Sequence, residues 1–189
     1  MPIKQEKPSI LSGVNAFISV IAVTRMFIIA LPCLFLFISM PLRAVAAQDD
    51  AANRIVSGII SFTHWPGLVH PPLLCVLPSS RHLSVPATAV GTAYRVDYLA
   101  SENDLLTRQC DAVYFGEQSP QQQVQLLEQI NNRPVLTIAE NNPECTIGAS
   151  FCLIFHQDKT VFSVNLDSLA RSGVKVNPEV LLLSRKGSQ

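Results

Sequence analysis

The residues of this 189-residue chain whose chemistry bears first on function are its cysteines. Cys75, Cys110, Cys145 and Cys152 follow one another at intervals of 35, 35 and 7 residues. No pair has the Cys-x-x-Cys spacing of a thiol oxidoreductase or of a zinc ribbon. An even set without metal or redox spacing, downstream of an apolar leader, points to two disulfides formed in an oxidising compartment. Four cysteines permit three pairings. Cys75 falls in an expected strand and Cys110 at the start of another, positions that can be neighbours in an α/β sheet, so 75–110 is the favoured first bridge. The six residues between Cys145 and Cys152 can fold back on themselves, which favours 145–152 as the second. Loop-closure entropy gives about 4 kcal/mol for the longer loop and about 2.5 kcal/mol for the shorter. Such bonds are structural staples, and the same bonds can serve as a redox switch.

Other chemistry-bearing residues form no catalytic constellation. His64, His70, His82 and His156 stand 6, 12 and 74 residues apart, which is no metal-ligand spacing. Gly-x-Ser-x-Gly, His-Glu-x-x-His and glycine-rich phosphate loops are all absent from the sequence, and no cofactor motif is present. Pro78-Ser79-Ser80-Arg81 follows an expected parallel strand, where an anion could sit on loop amides and the arginine; the plainer reading is a polar loop. Phe62, Trp65 and Pro66 make an apolar group in a connector, suited to a partner surface or to packing on their own domain. Asn165, Asp167 and Arg171 surround a tight connection; the asparagine can cap a helix and Arg171 can pair with Asp167 one turn earlier. That patch reads either as local structure or as a rigid, charge-mixed docking surface.

These residues need elements to position them. Residues 26–40 carry no charge, follow Arg25, and lead to Pro41 and the small-x-small run Ala44-Val45-Ala46. This is the pattern of a secretory signal peptide over residues 1–46, cleaved after Ala46, and it places the protein outside the cytoplasm. The run is short for a membrane span and holds Pro32, so cleavage is favoured over an uncleaved anchor. Cys33 lies in this run; Pro32 before it argues against lipoprotein processing. A second apolar block, Ile10 to Val23, precedes Arg25. The remaining chain, 47–189, is one domain by size. It holds ten Lys/Arg and thirteen Asp/Glu, a net charge of 10 − 13 = −3, and no basic run, which excludes nucleic acid as a natural partner.

Ile55, Ile59 and Phe62 repeat at helical spacing, and Trp65-Pro66 stops the helix. Strands are expected over residues 73–77, 94–99, 111–115 and 134–139, and a hairpin over 149–155 and 161–166. Between them a short helix is expected at Pro86 to Val90 and another after Ser101. Ser119, Pro120 and Gln122 form a capping box that starts a longer helix with Val124, Leu127 and Ile130 on its apolar face. Short helices are expected over 168–172 and after Asn177-Pro178. The alternation implies an α/β class: a mostly parallel sheet of about six strands, helices on both faces, and a C-terminal antiparallel hairpin.

From about Arg54 to Lys186 the chain resembles the YfiR family of periplasmic regulators. The resemblance rests on Val56-Ser57-Gly58-Ile59 leading to Trp65-Pro66, and on Cys110-Asp111-Ala112-Val113-Tyr114-Phe115-Gly116. It continues through Val135 to Glu140, Phe151 to Phe155, and Val164 to Val174. All four cysteines are present, as in YfiR-like proteins proper. The resemblance implies a non-enzymatic repressor that binds the periplasmic domain of an inner-membrane diguanylate cyclase (YfiN-like). It implies release by an outer-membrane lipoprotein (YfiB-like), sensitivity to disulfide reduction, and so control of cyclic-di-GMP and biofilm formation. A homodimer is compatible with that role. Two other classes stay open on the residues alone: a periplasmic small-molecule-binding module using the Ser79–Arg81 loop, and a thiol oxidoreductase.

Overall fold

The computed structural model describes residues 41–85, 93–130 and 133–183. The expected signal peptide up to residue 40, the short helix expected at Pro86 to Val90 and the tail after residue 183 lie outside the described residues. The residues from Ala44 onward belong to one compact unit.

The first helix, α1, runs Pro41–Ser61. It begins well before the Ile55 to Phe62 stretch that its periodicity announces and passes through the alanine-rich segment, whose residues favour helix. Ala52, Ile55, Val56, Ile59 and Ile60 are all buried, a stripe at i, i+3, i+4, i+7 and i+8. After a two-residue strand β1 (Thr63–His64), the chain forms β2 (Leu73–Val76), β3 (Arg95–Tyr98), a one-turn helix α2 (Asp104–Thr107) and β4 (Ala112–Phe115). Helix α3 (Pro120–Ile130), β5 (Leu136–Ala139), β6 (Phe151–Phe155), β7 (Thr160–Val164) and α4 (Leu166–Arg171) follow. The described chain closes with β8 (Lys175–Val176) and a 3-10 turn, Pro178–Leu182, capped by the Asn177 side chain.

The main sheet has six strands in the order β3-β2-β4-β5-β6-β7. The first five are parallel; β7 returns antiparallel on β6 from Phe151↔Val164 to Phe155↔Thr160, the expected hairpin. Strand alternation sorts side chains to two faces. Leu74, Val76, Ala112, Tyr114, Leu136, Ile138, Phe151 and Leu153 join the stripe of α1 in one core cluster. Cys75, Val113, Phe115 and Ala139 point the other way and pack with Leu105, Leu126 and Ile130 in a second. The α/β class with helices on both faces is therefore observed.

A small second ladder, absent from the sequence reading, pairs Thr63 with Val176 and His64 with Lys175. The expected helix over 168–172 starts two residues earlier, at Leu166, with Asn165 as its cap: the asparagine side chain accepts from the Ser168 N–H at 3.0 Å.

Candidate functional site

In a doubly wound sheet, ligands bind beyond the carboxyl ends of the strands where the order reverses, here between β2 and β4. The Pro78 to Arg81 loop, which the sequence offers as an anion site or more plainly as a polar loop, follows the carboxyl end of β2. The structure shows the place filled by the protein itself. Glu140, at the end of β5, accepts from the Arg81 N–H at 2.6 Å and the His82 N–H at 3.1 Å. Tyr114 donates to the same carboxylate at 2.8 Å. An anion does sit on those amides, and it is an internal one. Arg81 pairs with Glu117 instead of turning to a ligand. Burial, reinforced by the neighbouring Glu140 charge, drives the Tyr114 phenol far above its ordinary pKa, so it stays a donor.

Backbone contact closes the rest of this crevice. A Cβ on Gly116 would stand 2.5 Å from the Ser80 nitrogen, so only glycine lets the β4 turn lie on the β2 turn. Ser79 beside it takes a positive φ of 67°. The side chain of Gln118 ties the two turns together, accepting from the Gly116 N–H and donating to Glu102 and the Pro78 carbonyl. His82 stacks on Phe155 at 3.9 Å between ring centroids and bonds Asp49 of α1 at 3.1 Å. These partners do not assemble a nucleophile with its base.

The disulfides join Cys75 to Cys110 and Cys145 to Cys152, with Cα atoms 5.6 and 5.8 Å apart. The first lies fully buried within the second core cluster, tying the middle of β2 to the entry of β4. Asp111, next to it, receives the Leu73 N–H on its carboxylate and the Leu136 N–H on its carbonyl. The second bridge holds the turn between β5 and β6, with Cys145 at φ 49° and Gly148 at φ 80°.

That turn is organised by a residue the sequence reading passed over. Gln123 of α3 is completely buried. Its oxygen accepts from the Ala149 N–H at 3.1 Å and from the Asn142 amide at 3.0 Å, while its nitrogen donates to the Gln118 carbonyl at 2.8 Å. Asn142 in turn accepts from the Cys145 N–H and donates to the Ile147 carbonyl. The expected apolar face of α3 is corrected accordingly. Gln123, Leu126 and Ile130 are buried, whereas Val124 and Leu127 are only half-buried. A glutamine takes a core position because three buried backbone or amide groups need it.

The candidate partner residues separate. Trp65 is 6% exposed, and its indole N–H donates to the Asp111 carbonyl at 2.7 Å, which ties it to its own domain. Phe62 packs half-buried against the first core cluster, and Pro66 is exposed. Asn165 is buried as a helix cap, with its Nδ2 lacking a partner among the described residues. Asp167 and Arg171 are exposed and paired across one turn of α4. Of the residues singled out, Pro66, Asp167 and Arg171 offer themselves to the surface. Exposed Leu166, 74% accessible, stands beside the last two and was not singled out. Among the described residues no group of three or more His, Cys, Asp or Glu side chains could hold a metal ion, and no helix is long and apolar enough to cross a membrane.

A family model described as YfiR/HmsC-like matches residues 49–185. That span runs from the second half of α1 past the 3-10 turn and includes both bridges, the internal anion nest and the Gln123 network. The chain belongs to the YfiR/HmsC-like family.

Proposed function

We propose that this chain is a periplasmic regulatory protein that acts by binding other proteins and catalyses no reaction. Its target is the periplasmic domain of an inner-membrane diguanylate cyclase of the YfiN type, which it represses. A YfiB-like outer-membrane lipoprotein sequesters it and frees the cyclase, raising cyclic-di-GMP and biofilm formation. Family membership over residues 49–185 is the observation that carries this reading. Two closed disulfides agree with a protein exported to an oxidising compartment. The self-filled carboxyl end of the sheet agrees too, since the usual ligand crevice holds Glu140, Gln118 and the Ser79–Gly116 contact. The same groups weigh against the small-molecule reading at Ser79–Arg81.

Co-expressing the chain with a YfiN-type cyclase and measuring cellular cyclic-di-GMP tests the proposal. The nucleotide should fall when the chain is present and recover when Cys75 and Cys110 are both changed to Ala. Unchanged cyclic-di-GMP, with the chain present and disulfide-bonded, would contradict it.

A further inference from the structure

The loop between β1 and β2 carries a second feature. Residues 66–72 contain three prolines and no Asp, Glu, Lys or Arg. The loop opens with a type II turn. Pro66 and Gly67 are its central residues, Gly67 has φ 79°, and the Leu68 N–H donates to the Trp65 carbonyl at 3.2 Å. Leu68 packs against the first core cluster, while Val69, His70 and Pro71 stand in solvent, Val69 at 96% accessibility.

One residue holds both ends of this apolar loop. Trp65 precedes it, and its indole N–H donates to the Asp111 carbonyl at 2.7 Å. Leu73 follows it, and its N–H donates to the Asp111 carboxylate at 2.8 Å. The Asp111 N–H donates in turn to the Leu73 carbonyl at 2.9 Å. Leu73 and Asp111 lie one step outside Leu74↔Ala112, at the entry of the β2–β4 ladder. Ends of elements fray. Here the fray is opposed by a covalent bond, because Asp111 adjoins Cys110 and Leu73 is two residues from Cys75.

We infer that the Cys75–Cys110 bridge sets the shape of the exposed 66–72 loop through Asp111, so that this loop is ordered only in bridged protein. Apart from Asp111, the loop has its own turn and the Arg95 N–H on the Pro72 carbonyl at 2.9 Å. Those contacts restrain its two halves separately, and Asp111 joins them. The inference stands on the fold and needs no partner. Under the regulatory reading it gives a partner a surface that differs between bridged and unbridged chains.

Backbone ¹⁵N relaxation of the purified chain tests it, read at the Gly67, Leu68, Val69 and His70 amides. Hydrogen exchange of the indole N–H adds a second readout, unambiguous because Trp65 is the only tryptophan. With both bridges closed, the loop should show order parameters near about 0.85, as in the strands. Cys75→Val with Cys110→Ala keeps apolar volume and removes the bond. The loop should then fall below about 0.6, while Leu153 and Phe162 in the hairpin stay rigid. Indole exchange should rise at least about tenfold more than exchange at those two amides. Trp65→Phe and Asp111→Ala, each with both bridges closed, cut the link at one end and should loosen the loop likewise. Cys145→Ala with Cys152→Ala should leave it rigid. A loop that is mobile in the bridged protein would overturn the inference. So would one that stays ordered without the first bridge, or in both link variants, or one that loosens equally without the second bridge. If the Cys75→Val, Cys110→Ala chain fails to fold, the two link variants and the second-bridge variant decide it.

Discussion

The two disulfides hold regions built on different physics. Around Cys75–Cys110 the surroundings are apolar and the bond joins strands far apart in sequence, 35 residues, inside the second core cluster. Around Cys145–Cys152 the bond closes a turn of 7 residues that Gln123 and Asn142 already fold through buried hydrogen bonds. One region depends on its covalent link for a non-local constraint. The other has a second set of restraints in place. The lesson is that equal bonds need not carry equal weight, because a cross-link contributes most where little else limits the unfolded chain.

Unfolding in urea under oxidising conditions should rank the two. Cys75→Ala with Cys110→Ala should cost about 4 kcal/mol from chain entropy, enough to threaten a domain of ordinary stability. Gln123→Leu strips partners from the Ala149 N–H, the Asn142 amide and the Gln118 carbonyl, and should cost about 3 kcal/mol. Cys145→Ala with Cys152→Ala should cost about 2.5 kcal/mol, and less if the hydrogen-bonded turn persists in the unfolded ensemble. Combining that pair with Gln123→Leu should give a non-additive loss, since both restrain one turn. Simple additivity would remove the distinction drawn between the regions.

A smaller effect probes the nest that seals the crevice. Tyr114 has its pKa raised by burial and by Glu140, so the folded state favours the neutral phenol. The resulting stability is complete below about pH 10, the value of an unfolded tyrosine, and drains away as pH rises above it. Tyr114→Phe should cost about 1 kcal/mol at neutral pH and flatten the alkaline loss, read from urea midpoints across pH. An unchanged alkaline slope would mean another group sets it. Smallest of all, Asp167→Ala removes an exposed pair and should shift stability by less than about 0.5 kcal/mol.

Local signals in the sequence translated well into structure. The Ser119 capping box is realised in both directions, with the Gln122 side chain on the Ser119 N–H at 2.8 Å and the serine hydroxyl on the Gln122 N–H at 3.3 Å. Short apolar runs became buried parallel strands, and the polar run Gln157 to Thr160 joined a hairpin, with Thr160 already in β7. What stayed hidden was non-local. Glu140 lies 59 residues from Arg81, and nothing in its own neighbourhood announces that it fills that loop. Gln123 looks like any polar helical residue until β5 and its turn come round to it. The β1–β8 ladder is two residues long, too short to leave a periodic trace.

The account rests on both covalent links existing in the protein as the cell makes it. Alkylating free thiols directly in cells, then mapping unreduced peptides by mass spectrometry, addresses this most directly. The account predicts linked peptides joining Cys75 to Cys110 and Cys145 to Cys152. Alkylated thiols at all four positions in folded protein would contradict it.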